Sequence, residues 1–254
     1  MAYALAIAGG LVVGSFLNVC ITRWPTGESV VSPGSHCRRC QKPVRWYDNI
    51  PLLSYILLGR RCRACKAVIP LRYPMVELAG AALAAGVVAE GFEPRLALLM
   101  FALGAALIIV TFIDIAHRII PDTITLPSIL IGPGAAFVVG HISVTESLAG
   151  IVVGGGILWL IAVVYERLRS REGMGLGDVK LLAMIGGLLG FKAALFTLLV
   201  SSVVGAVVGL VLMALKRNRL DSEIPFGPFL ALAALVYMFH GAALVAWYFE
   251  RMAV

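Results

Sequence analysis

The chain has 254 residues, 60% of them hydrophobic, and only 14% are charged against about 25% in an average soluble domain; with a mean hydropathy of +0.95, this excludes an ordinary soluble protein. The 27 Gly and 12 Pro follow no repeat, which excludes collagen-like chains, and so apolar a composition excludes disorder. The net charge of +7 is concentrated: between Thr22 and Tyr73 ten Lys or Arg stand against Glu28 and Asp48, leaving the rest of the chain at −1. The basic balance therefore marks one polar loop of a membrane protein, and no soluble fold accompanies it to suggest nucleic-acid binding.

The first apolar run, 2–21, has no Lys or Arg ahead of Arg23. A cleavable signal carries its basic residues in front of the apolar stretch, so this run is expected to be a retained helix with its N-terminus outside. Cys20, near its end, is expected to be a small buried apolar residue.

The loop 22–73 follows and is expected to form a small cytoplasmic domain. It carries Cys37-Arg-Arg-Cys40 and Cys62-Arg-Ala-Cys65, with 21 residues between the inner cysteines. Two tight turns presenting two sulfurs each suit a tetrahedral thiolate site, and a loop this short needs such a crosslink to hold a shape. Structural zinc is the expectation, with free or redox thiols as the alternative, and four thiolates close the shell, so the metal should organise rather than catalyse.

Seven further apolar runs are expected to form the membrane domain 74–254, at 74–90, 95–113, 123–140, 146–165, 177–190, 193–215 and 226–249, each judged against the roughly 20 residues that cross a bilayer core. The fold class is thus all-α and polytopic with eight spans, the sixth short and Gly-rich. With the basic loop inside, the inside turns hold Arg118, then Arg167, Arg169 and Arg171, then Lys216, Arg217 and Arg219, whereas the outside turns and tail hold Arg95, Lys192 and Arg251, as the positive-inside tendency requires.

Acids at membrane depth are costly enough to mark function. Three qualify: Glu77 in the first turn of the second span, Asp114 at the end of the third and Asp178 at the start of the sixth, all expected near the cytoplasmic face. Two carboxylates in a partly dry site share a proton, one activating water while the other polarises a carbonyl. Asp114 and Asp178 suit that pair if their helices are neighbours, and Gly175 and Gly177 would let an extended backbone approach. The competing readings are that Asp178 caps its helix and Asp114 pairs with Arg118 at i+4, and Asp122 is expected to cap the fourth span.

The chain resembles the bifunctional type IV prepilin peptidases over nearly its whole length. The resemblance rests on Gly14-Ser15-Phe16-Leu17-Asn18-Val19 with Arg23 and Pro25, the paired CxxC, Trp46-Tyr47-Asp48-Asn49-Ile50-Pro51 with Leu52-Leu53-Ser54-Tyr55, Arg72-Tyr73-Pro74 with Glu77, Phe112-Ile113-Asp114 with Pro121-Asp122, and Gly175-Leu176-Gly177-Asp178-Val179-Lys180. It implies an inner-membrane aspartic endopeptidase that removes the basic leader of prepilins or type II secretion pseudopilins after a Gly on the cytoplasmic side. It also implies methylation of the new N-terminus from S-adenosylmethionine. The family's catalytic aspartates fall on Asp114 and Asp178. Lys180 would hold substrate, tune the aspartate or snorkel to the interface, the last being favoured.

No Gly-rich dinucleotide-type signature accompanies the methyltransferase half. The donor is expected in a small pocket shaped by the loop and nearby helices, with Glu77, Asn49 and Asp48 as candidates beside their reading as caps and loop braces. Anionic lipid headgroups are the expected partner of the basic loop. An ion-coupled transporter and a non-enzymatic secretion scaffold are the alternatives, and no inverted repeat favours the former. The sequence leaves the natural substrate and the oligomeric state open.

Overall fold

A computed structural model describes residues 1–169, 175–215 and 224–252. Among them the chain forms α1 (Ala2–Arg23), α2 (Leu53–Leu57), α3 (Arg72–Ala89), α4 (Pro94–His117), α5 (Asp122–Val139), α6 (Val144–Arg169), α7 (Leu176–Leu189), α8 (Phe191–Ala214) and α9 (Gly227–Met252). The described residues contain no β-strand, only the isolated bridges His36–Pro43 and Arg61–Val68. All eight expected apolar runs are helices, and α2 is a short addition inside the loop. Arg171, Lys216, Arg217 and Arg219, invoked for the topology, lie outside the described residues.

Five segments are long and apolar enough to cross a membrane: Ala2–Thr26, Pro94–His117, Asp122–Val139, Val144–Leu168 and Phe191–Ala214. The protein is a multi-pass membrane protein on that basis. The expected count of eight spans goes beyond these five, and α7 is the helix too short to cross. With 14 residues, α7 would extend about 21 Å at 1.5 Å per residue, short of a hydrocarbon core of about 30 Å.

The chain divides into two compact units, Met1–Ile109 and Val110–Val254, the division falling within α4. In the first unit α1 and α3 pack backbone to backbone. A Cβ on Gly14 would lie 2.7 Å from the Glu77 Cα, and one on Gly10 would overlap Gly80 and Ala81. Such close crossings replace a hydrophobic driving force that lipid does not supply.

In the second unit α7 is the central element, packed by α5, α6, α8 and α9. Its residues Leu181–Leu188 are all buried. The glycines explain how a short helix becomes so enclosed: a Cβ on Gly150 of α6 would lie 2.0 Å from the Gly186 carbonyl oxygen, and one on Gly132 of α5 would lie 2.9 Å from that of Gly187. Burial within protein, rather than contact with lipid, accounts for the apolar character of α7.

Candidate active site and candidate metal centre

In the first unit, α1 delivers Arg23 at its last turn, only 5% exposed. Its guanidinium donates to the Ser29 carbonyl at 2.8 Å and the Gly34 carbonyl at 3.1 Å, folding the chain back at the start of the loop. Arg38 and Arg72 both donate to Thr22, to its carbonyl at 3.0 Å and its hydroxyl at 2.7 Å. Asn18 donates to the Tyr73 carbonyl at 3.0 Å. Three of the ten basic residues thus hold the loop to the ends of α1 and α3. Cys20 is 1% exposed, a small core residue as expected.

The two CxxC segments form the same turn twice, 25 positions apart. Cys37 N–H donates to the Lys42 carbonyl and Cys62 N–H to that of Ala67; Gln41 N–H returns to Cys37 and Lys66 N–H to Cys62. Gln41 and Lys66 both take positive φ, 60° and 58°. The turns bring the sulfurs of Cys37, Cys40, Cys62 and Cys65 within 4.8 Å of one another. The Cys37 and Cys65 sulfurs are 3.7 Å apart, close to the edge of about 3.8 Å of a tetrahedron with zinc–sulfur arms of about 2.3 Å. The Cys40 amide, donating to Cys37, lowers its thiol to about 6. Cys65 differs: although the Ala67 amide lowers it, burial and the three other sulfurs push it up to about 11.

Between these turns and the helices lies a cavity of about 1080 Å³, somewhat above the roughly 300–1,000 Å³ usual for small-ligand pockets. Asp48, Asn49 and Glu77 all line it. Glu77 is 7% exposed and accepts the Leu52 N–H at 2.8 Å. Leu52 adopts φ 59° to present that amide. Asp48 is gripped by Arg63 through two bonds of 2.8 and 2.6 Å, and the Arg63 hydrogen bond holds its carboxyl below the ordinary carboxylate value. Three buried polar atoms of lining residues, Asn18 Oδ1, Tyr55 OH and Arg72 Nε, have no partner among the described residues.

In the second unit, α4 ends at His117, where Arg118 turns to φ 56°. The chain then runs through Ile120 and Pro121 into α5. Asp114, in the last turn of α4, is 5% exposed. Its Oδ2 accepts the N–H of Gly227, the first residue of α9, at 3.0 Å. Asp178 stands in the first turn of α7, three residues after its N-cap Gly175, and interacts electrostatically with Asp114. The Asp178 carboxylate makes no capping bond to its helix, so the capping reading does not hold. Asp122 likewise makes no capping bond to α5; it pairs with Lys180 at 2.6 Å.

Gly175 is exposed, and a Cβ there would meet only the Gly177 nitrogen at an ordinary 3.9 Å, whereas a Cβ on Gly177 would sit 3.0 Å from the Ile120 Cβ. A side chain at the second would press on Ile120. Sequence reasoning missed Gly227 altogether. Its only local signal is Phe226-Gly227-Pro228, where Pro in a first turn marks a helix start.

Residues 8–90 match the bacterial peptidase A24 N-terminal domain family, and residues 101–210 match the type IV leader peptidase family. Proteins named prepilin leader peptidase/N-methyltransferase are similar to the chain. That of Burkholderia pseudomallei strain 1026b is 38% identical over 95% of this chain and 86% of its own length. That of Aeromonas hydrophila is 37% identical over 97% and 93%, and that of Pseudomonas aeruginosa is 36% identical over 95% and 91%. No solved structure matches.

Proposed function

The chain belongs to the type IV leader peptidase family, and from its sites we propose that it cleaves the basic leader of prepilins or type II secretion pseudopilins and N-methylates the new N-terminal residue. The observation that carries the peptidase reading is the Asp114 carboxylate, nearly buried and acting electrostatically on Asp178. In this reading Asp114 and Asp178 are the catalytic pair of an aspartic endopeptidase. One carboxylate takes a proton from water as the water oxygen attacks the carbonyl after Gly, and the other protonates the carbonyl oxygen. The tetrahedral species collapses as the leaving nitrogen takes a proton and the pair recovers its starting state. Gly175 leaves room for an extended substrate backbone. Gly177 supports the site through Ile120, and Lys180 does so through Asp122.

Methyl transfer belongs, in this proposal, to the cavity of the first unit. S-adenosylmethionine supplies an electrophilic methyl group, so the protein needs to hold a cation with a carboxylate tail beside a neutral amine. The cavity fits: Glu77 offers a carboxylate for positive charge, Arg72 Nε a donor, Asn18 Oδ1 an acceptor and Tyr55 OH either, the last three being buried atoms without partners among the described residues. Asn49 lines the same space, while Asp48 acts through Arg63. The four cysteines hold structural zinc, which crosslinks the two turns that wall this cavity.

We assign 1–21 to a first transmembrane helix, 22–73 to a cytoplasmic loop domain and 74–254 to the membrane domain with the peptidase site, all in the bacterial inner membrane. Anionic lipid headgroups are the partner of the basic loop in this reading. Incubation of purified enzyme with a prepilin, with and without S-adenosylmethionine, tests the reading by mass. Leader loss in both reactions and an added methyl in one support it; an intact substrate removes it.

A further inference from the structure

We infer that the two aspartates have fixed, different roles: Asp114 is the ionised partner that takes the proton from water, Asp178 holds the proton of the pair, and the Gly227 amide is the positioning group that sets this order. The inference rests on the aspartic peptidase reading of the site.

The asymmetry is in the hydrogen bonds. Asp114 Oδ2 accepts the Gly227 N–H at 3.0 Å, whereas no hydrogen bond reaches the Asp178 carboxylate among the described residues. An amide that donates to a carboxylate favours its charged form, more so away from water. Gly227 also opens α9, so its N–H is one of the first-turn donors that no helical carbonyl can satisfy, at the positive end of the helix dipole. Asp114 satisfies that donor.

The other charges acting on Asp114 agree. Arg118, the residue directly after α4, is the cation that interacts electrostatically with it. Asp178 on α7 is the like charge that makes one shared proton the stable state. Lys180 on α7 is engaged by Asp122 of α5 at 2.6 Å, and Ile224–Pro228 contains no titratable side chain.

The arrangement also explains why residue 227 is glycine. A Cβ there would lie 2.6 Å from Asp114 Oδ2 and 3.3 Å from Ile120 Cδ1. Ile120 is the residue that a Cβ on Gly177 would meet at 3.0 Å. One side chain therefore contacts both glycines, and it registers the starts of α7 and α9 against the turn that follows Asp114.

In the forward step the Asp114 carboxylate accepts a proton as water's oxygen bonds to the scissile carbon, and the Asp178 proton passes to the carbonyl oxygen. On collapse the C–N bond breaks, Asp114 gives its proton to the leaving nitrogen, and Asp178 regains one from the hydroxyl. One water is consumed and the pair is restored.

Carbon-13 NMR of the full-length enzyme with labelled aspartate carboxyls, at the pH of maximal cleavage, tests the order. The carboxyl signal that vanishes in Asp114→Asn is expected at a carboxylate shift, and that lost in Asp178→Asn at the shift of a protonated acid. The reverse pair overturns the inference. Gly227→Ala is expected to move the acid limb of kcat/KM up by about one pH unit and to lower kcat about tenfold or more with KM little changed; an unaltered pH profile overturns the role of Gly227. The wild-type spectra decide the order even if that variant misfolds. Cleavage surviving in either Asn variant removes the peptidase reading itself, whereas inverted signals with both variants inactive remove only the order.

Discussion

Lys180 Nζ stands 2.6 Å from Asp122 Oδ1, so the residue two places after Asp178 is tied to the first residue of the helix that follows Asp114. The side chains are 31% and 54% exposed, and such a pair contributes only about 0.2–1 kcal/mol. Its effect is therefore on where the aspartates stand. Lys180→Met is expected to lower cleavage kcat about tenfold while the melting temperature hardly changes. The exchange Lys180→Asp with Asp122→Lys should recover part of that loss, which a set of kinetic measurements on the four proteins checks.

The paired cysteine turns lead to a metal prediction with a definite sign. A thiolate binds metal and a thiol does not, so affinity must rise with pH. Cys37, lowered to about 6, is already largely deprotonated at neutral pH and loses this as pH falls through 6. Cys65, up at about 11, must release its proton to the incoming metal. Elemental analysis should find one zinc per chain, chelator extraction should be faster at pH 5 than at pH 8, and Cys62→Ser should lose the metal.

Asp48 gives the loop a separate pH dependence. Its carboxyl is held below the ordinary value by Arg63. A depressed folded value contributes stability above the unfolded carboxylate range, near 3.9, and that stability is lost as pH falls through the folded value. Asp48→Asn should weaken the loop's resistance to proteolysis at pH 7 and leave it unchanged from wild type at strongly acid pH.

Glu77 is tested by separating the two activities. Glu77→Gln keeps an acceptor for the Leu52 amide but removes the charge from the cavity wall. Methylation of a pre-cleaved peptide is expected to fall about tenfold or more, with leader cleavage by the same preparation largely retained.

Gly150 reports the α6–α7 crossing. A Cβ there would overlap the Gly186 carbonyl, whereas Gly156 on the same helix has open space around it. Gly150→Val is expected to destabilise by about 1–3 kcal/mol, while Gly156→Ala should be neutral or slightly stabilising. Thermal melts in detergent compare them.

The helices were legible because chain that faces lipid or is buried among other helices is apolar without interruption: every expected run begins within two residues of an observed helix start. The cysteine turns were legible from spacing, although neither Gln41 nor Lys66 advertises a left-handed backbone. The catalytic candidates were visible because a carboxylate in an apolar helix is costly. Gly227 was not, because its contribution is a backbone N–H, which every residue but proline has, and its partner lies 113 positions away. The Lys180–Asp122 pair was hidden for a related reason. Two charges at helix starts read locally as caps or snorkelling side chains, and only the packing of α5 on α7 joins them.

The central claim is that Asp114 and Asp178 together break the peptide bond after the leader. Mass spectrometry of a prepilin incubated with wild type, Asp114→Asn and Asp178→Asn addresses it directly. Complete loss of the leader mass with wild type and an unaltered substrate with each variant is the predicted result. Leader removal at a wild-type rate by either variant, with the protein folded and its zinc in place, would contradict it.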